Sequence, residues 1–268
     1  MLGPSDEGPY DAGVSARGER TREHLIDVAE ALYGRRGFQN VSLREIQTAA
    51  GQRNAGVMQY HFGDRDGLLR AIVARHMPRL DQRQDELLAL AAATNDDLLA
   101  YTAVLVVPFA EYVDRGPSER AWVKICAELL IRPSTTLNEI RQRSSAATFE
   151  AGSVIYRKMV EIVPNDVAIE RAIAVPLGAI HVCADRARNL DHPKPRRTVL
   201  PAELFVANLV DMSASAFGAA PGPTIAAHLT SPSPTKAKRT ATIRAAKKAP
   251  AGSQATRRTR PSPPAKKR

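Results

Sequence analysis

Two cysteines in 268 residues, Cys126 and Cys183, are too few for a disulfide framework, and their spacing fits no zinc pattern. Both sit in apolar, helix-like surroundings, so core packing is expected. No apolar run approaches the ~20 residues that cross a bilayer. The longest, Leu98 to Ala110, is interrupted by Thr102 and Pro108 and reads as a buried helix. The opening MLGPSDEGPYDAG has no apolar h-region, so no signal peptide is expected and the chain reads as cytoplasmic. Also missing are a Walker loop, H-E-x-x-H, G-x-S-x-G and G-x-G-x-x-G. His181 and Cys183 lie two apart on a helical stretch and so diverge. No enzymatic activity, cofactor or metal site is expected.

Acid is missing from one end. The last 51 residues, Gly218 to Arg268, hold 12 of the 38 basic side chains and no Asp or Glu. The body, 1–217, is left with 26 basic and 28 acidic groups, while the whole chain carries +10. The tail contains no aromatic residue and is rich in Ala, Pro, Ser, Thr, Lys and Arg, a composition that cannot bury enough apolar surface to fold. It is expected to be disordered, as is the Gly- and Pro-bearing arm 1–16.

No Asn-Gly hairpin signal or alternating run is present, and apolar residues recur at three- and four-residue steps. The fold class expected is all-α. Leu25, Ile26, Val28, Ala29, Leu32 and Tyr33 mark a first helix, ended by Arg35, Arg36 and Gly37. Ser42-x-x-Glu45 is a capping box opening a second, short helix closed by Gly51. After Gln52-Arg53-Asn54 a third helix runs to about His61, with Asn54 as its N-cap. Met58 and Phe62 face inward, which turns Ala55, Gly56, Val57, Gln59 and Tyr60 outward. A fourth helix starts near Asp64 and stops before Pro78. Further helices are expected at about 79–93, 95–114, 118–131, 136–162, 166–189 and 201–217, with Pro108 and Pro176 kinking two of them.

A short helix pair joined by a tight turn, with a polar outward face, is a helix-turn-helix candidate, because the major groove admits one helix whose side chains read base edges. Arg44 opens the helix that faces phosphate. Arg53 in the exposed turn has the geometry for phosphate or guanine, and Val57 for a thymine methyl. The stretch Thr21 to Val73, with its L-I-D-V-A core helix, R-G-F turn, S-x-R-E-I-x-x-A-A-G helix and Y-H-F-G-x-R-x-x-L-L ending, resembles the DNA-binding domain of TetR-type transcriptional regulators. By that resemblance Asn54 caps the recognition helix, and Ala55, Gly56 and Val57 face bases. Gln59, Tyr60 and His61 take the positions of aromatic and histidine contacts, Ser42 that of a phosphate contact, and Arg65 that of a lysine meeting the backbone. The turn departs from the family pattern: it is one residue longer and carries an arginine.

The resemblance further implies domains at 17–64 (helix-turn-helix) and 65–217 (effector-binding and dimerising), double-stranded DNA and a second copy as partners, and a small-molecule effector. Tyr101, Phe109, Trp122, Phe149, Tyr156 and His181 are candidate effector contacts. The tail adds a sequence-independent attraction to phosphates. Two functional classes remain open: a sequence-specific regulator, most simply a repressor, and an architectural, nucleoid-associated protein dominated by its tail.

Overall fold

The computed structural model describes residues 9–54, 56–130, 145–194 and 197–230. Among them every regular element is helical. α1 spans Pro9–Arg36, a 3-10 turn Phe38–Asn40, α2 Leu43–Ala49, α3 Val57–Phe62, α4 Arg65–Ala92, α5 Leu98–Tyr112 and α6 Pro117–Leu130. Then come α7 (Ala146–Ile162), α8 (Asn165–Asp191), α9 (Ala202–Gly218) and α10 (Pro223–Thr230).

α1 begins earlier than the expected arm allows: residues 9–16 are helical, not disordered. α4 does not stop before Pro78 but runs through it to Ala92. Pro78 and Ala74, four residues earlier, are both exposed, so the carbonyl that loses its intrahelical donor faces water. The expected helix 136–162 is described only from Ala146 onward. The charged tail from 231 lies outside the described residues, but Gly218 still belongs to α9 and residues 223–230 form α10, where disorder was expected.

One compact unit extends to Ala220, so the expected boundary at 64/65 is not a break in packing. A continuous core joins Leu25, Ile26, Ile46, Met58, Leu68 and Ile72 of the first four helices to Val106, Ala110, Val123 and Ile125 of α5 and α6. A second cluster holds Tyr101, Val104, Ile155 and Phe217. α8 is more apolar than sequence reasoning allowed, with an 18-residue window of mean hydropathy 1.6, enough by length and composition to cross a membrane. Yet Arg186 within it is buried and makes a two-pronged ion pair with Asp114, both contacts at 2.9 Å. The thiols of Cys126 and Cys183 are free, and burial pushes both upward, that of Cys183 to about 12.

Two local devices set the entry to α2. Gly37 has φ 86, and its N–H closes α1 on the Tyr33 carbonyl at 2.8 Å. The capping box is complete: the Ser42 hydroxyl accepts from Glu45 N–H, and the Glu45 carboxylate accepts from Ser42 N–H at 2.8 Å. These bonds, first from the Ser42 backbone and hydroxyl and then from Arg36, hold the Glu45 carboxyl down at about 2 from an ordinary 4.5. The folded value is depressed, so the contribution is whole above about pH 4.5 and is lost as pH falls through about 2. Ser42→Ala removes the hydroxyl and keeps the backbone N–H, so Glu45 is expected to rise only part of the way to its ordinary value in an NMR titration. An unmoved Glu45 would assign the shift to the Ser42 backbone N–H and Arg36.

Candidate nucleic-acid interface

The second and third helices are held by more than their cores. Gly51, at φ 66, ends α2 and lets the chain reverse. Gln47 then reaches out of α2, and its amide donates to the carbonyls of Gln52 (3.2 Å) and Asn54 (3.1 Å). The Gln52 N–H donates in return to the Gln47 carbonyl at 3.1 Å. The longer turn is therefore clamped by Gln47, which sequence reasoning missed because a lone amide in a helix has no spacing signature.

Three expected contacts are corrected. Asn54 is not the cap of α3. Its side-chain oxygen accepts from Gly56 N–H at 2.9 Å, forming a turn ahead of the helix, and the capping position falls to Gly56, which has no side chain to offer. Val57 points inward at 6% exposure, in the same core as Met58 and Phe62, so it cannot reach a thymine methyl. The later start of α3 rotates it out of the outward set. Arg65 is also turned inward. Its guanidinium lies over the Phe38 ring, 4.1 Å from the centroid, and donates to the Phe38 carbonyl. It braces the 3-10 turn.

What stays outside is compact. Arg53, Asn54, Gly56 and Gln59 are exposed, and Tyr60 stands at 83% exposure. Ala55 lies outside the described residues. His61 is half-buried, edge-on to Tyr60 with centroids 4.9 Å apart. Burial first, and then the charge of Arg22, lowers its pKa, so at neutral pH the ring is uncharged and offers one N–H. Arg44 is exposed beside Arg36, Ser42 and Thr48 along a shallow groove. Neither Arg44 nor Arg53 has an ion-pair partner among the described residues. Ser42 is exposed too, but its hydroxyl donates to Glu45 at 2.9 Å, so a phosphate contact there competes with the capping box.

A second site lies in the body. A cavity of about 330 Å³ is enclosed by Met77, Leu80 and Gln84 of α4, Leu105 and Phe109 of α5, Trp122, Cys126, Leu129 and Leu130 of α6, Ser145, Thr148 and Gly152 at α7, and Ala172, Pro176 and Ile180 of α8. Of the six candidate effector contacts, Phe109 and Trp122 line it. The other four do not: Tyr101 is buried in the second core cluster, Phe149 is 77% exposed, Tyr156 donates to Asn165, and His181 lies off the lining. Aromatic character alone does not tell which side of a helix meets a void. No group of His, Cys, Asp and Glu suited to a metal exists among the described residues.

A family model, "Bacterial regulatory proteins, tetR family", matches residues 25–72, from the core of α1 into α4. No curated protein matches. Among solved structures, a probable transcriptional regulatory protein, RHA5900, is 18% identical, with 75% of this chain and 100% of that chain covered and a TM-score of 0.45. A gamma-butyrolactone receptor described as ArpA-like is 19% identical, covering 75% and 83%, at 0.35. A TetR-family transcriptional regulator from Pectobacterium atrosepticum is 18% identical, covering 69% and 98%, at 0.35. Superpositions this loose carry no argument, so the assignment rests on the matched segment and its geometry. Residues 25–72 thus form a helix-turn-helix unit similar to the DNA-binding domain of the tetR family of bacterial regulatory proteins.

Proposed function

We propose that the chain is a cytoplasmic, ligand-responsive repressor that binds a palindromic operator as a homodimer. The helix-turn-helix of 17–64 reads DNA, the body 65–217 dimerises and binds effector at Phe109 and Trp122, and the basic tail adds sequence-independent affinity. The observation that carries this reading is the exposed face made by Arg53, Gln59 and Tyr60 above a buried Val57, Met58 and Phe62. Such a face is rigid and polar and leaves an arginine unpaired, as a groove-reading surface requires. Arg44 and His61 flank it as phosphate contacts. Dimerisation is supported by apolar side chains left uncovered on α8 and α9: Ile169, Ile173, Leu204 and Met212 are each more than 40% exposed. Covering them with the same patch of a second copy gives two-fold symmetry, and hence two recognition helices about one DNA turn or a multiple apart.

The test is selection of random duplex DNA at about 150 mM salt, where phosphate attraction is already weakened, by the full chain and by the chain ended after Ala220. One inverted repeat should be enriched by both. Arg53→Ala with Tyr60→Ala should cut affinity for that repeat at least tenfold without lowering the melting temperature, since both side chains are exposed. Affinity that disappears with the tail, and no enriched repeat, would overturn this reading in favour of an architectural protein.

A further inference from the structure

Arg53 stands in the exposed segment between α2 and α3 with no hydrogen bond or ion pair of its own among the described residues. Gly51 and Gly56 flank that segment, so the neighbouring backbone does little to stiffen it. Gln47 supplies the hold. Its side-chain amide, half-buried on α2, donates to the Gln52 carbonyl at 3.2 Å and to the Asn54 carbonyl at 3.1 Å, the residues on either side of Arg53. Two acceptors at one end of an amide can be met only by its NH2, which fixes how the group points. The Asn54 carbonyl also accepts from the Val57 N–H at 3.2 Å, and this carries the hold into the first turn of α3. A single side chain thus ties both Arg53 and the recognition helix to α2.

Gln47 is not itself a phosphate contact. Both its amide protons are spent on the turn, and the oxygen left over can only accept, as can a phosphate. An arginine that merely neutralises phosphate tolerates loose placement, because that attraction carries no sequence information and little angular demand. A two-pronged bond to guanine O6 and N7 is stricter, since both N–H groups must be aimed together. Bonds on both sides of Arg53 suit the stricter task. We infer that Gln47 is a positioning residue for base reading: it holds Arg53 toward a guanine in the major groove and sets sequence preference, not affinity for DNA in general. The inference rests on the reading of this face as the DNA-binding surface.

The test uses the full chain at about 150 mM salt. The probes are the inverted repeat enriched from random duplex and an unrelated duplex of equal length. Gln47→Met keeps the length of the side chain and removes both donors. It should weaken binding to the repeat about tenfold and leave binding to the unrelated duplex unchanged within about twofold. Selection repeated with this variant should lose a guanine preference in each half-site, and Arg53→Ala should lose the same one. Adding Gln47→Met to Arg53→Ala should cost less than about twofold more, because nothing is left to position. Should Gln47→Met not fold, Gln47→Glu is equally long and equally without a donor. Its charge repels both probes, so the ratio of the two affinities still decides. Equal loss on both probes, or full additivity with Arg53→Ala, overturns the inference. So does a repeat that Arg53→Ala weakens and Gln47→Met does not, or one that Arg53→Ala leaves unchanged. If Arg53→Ala with Tyr60→Ala leaves it unchanged as well, or no repeat is enriched, the DNA-face reading falls too.

Discussion

Replacing Glu30 with alanine should lower the melting temperature by roughly 10 °C, the largest loss expected from a single polar side chain here. Glu30 is 2% exposed in α1. Its carboxylate accepts from Ser118 at the start of α6, lies 2.9 Å from His76 Nε2 of α4, and pairs with Arg75 at 3.4 Å. His76 in turn reaches the Tyr112 hydroxyl of α5 through Nδ1 at 2.8 Å and stacks flat on Trp122, with centroids 5.2 Å apart. One carboxylate therefore gathers α1, α4, α5 and α6. Removing a buried charge that others depend on costs about 3–5 kcal/mol, because its partners stay buried without it. At about 2–4 °C per kcal/mol for a chain of this size, that is the shift given. Arg75 keeps Glu23 and Asp27, so the orphans are His76 and Ser118. His76→Phe keeps the stacking and removes the bonds. Combined with Glu30→Ala it should add much less than its own cost, since neighbours in one network are not additive. Full additivity in denaturant titrations would dissolve the network.

Gly34→Leu should cost about 2–3 kcal/mol and weaken operator binding as well. A Cβ at Gly34 would lie 2.7 Å from the Ala121 Cβ and 3.0 Å from its Cα, so α1 and α6 touch there almost backbone to backbone. The larger side chain has to push α6 away, a typical overpacking penalty. The same separation pulls Glu128 of α6 from the Phe38 N–H, which it accepts at 2.8 Å, and so loosens the turn ahead of α2. Gly34→Ala paired with Ala121→Gly should recover most of the stability lost by Gly34→Ala alone. No recovery in melting experiments would locate the strain elsewhere.

These contacts explain which features could be read from the chain. Capping by Ser42 and Glu45, the closing glycines 37 and 51, and the inward pair Met58 and Phe62 are decided within a few residues, and each was legible. Pro78 misled because the rule against proline inside helices presumes a buried carbonyl, and this one faces solvent. Arg65 misled because its charge suggested DNA, whereas the Phe38 ring and carbonyl, 27 residues away in sequence, claim it. Asn54 and Val57 depend on a two-residue shift in where α3 begins, beside the Gln47 clamp, which no periodicity records. The cavity walls come from five helices, so only two of six aromatic and histidine guesses met it.

α6 is a wall of the cavity through Trp122, Cys126 and Leu129, and a neighbour of the DNA-binding helices through Ser118, Ala121 and Glu128. Whatever free energy a bound molecule takes from DNA binding through this shared wall, DNA must take from the molecule, factor for factor. A ligand that weakens operator binding a hundredfold is itself bound a hundredfold more weakly by protein on the operator. DNA and such a ligand are then mutual antagonists, and DNA occupancy raises the concentration at which the ligand binds.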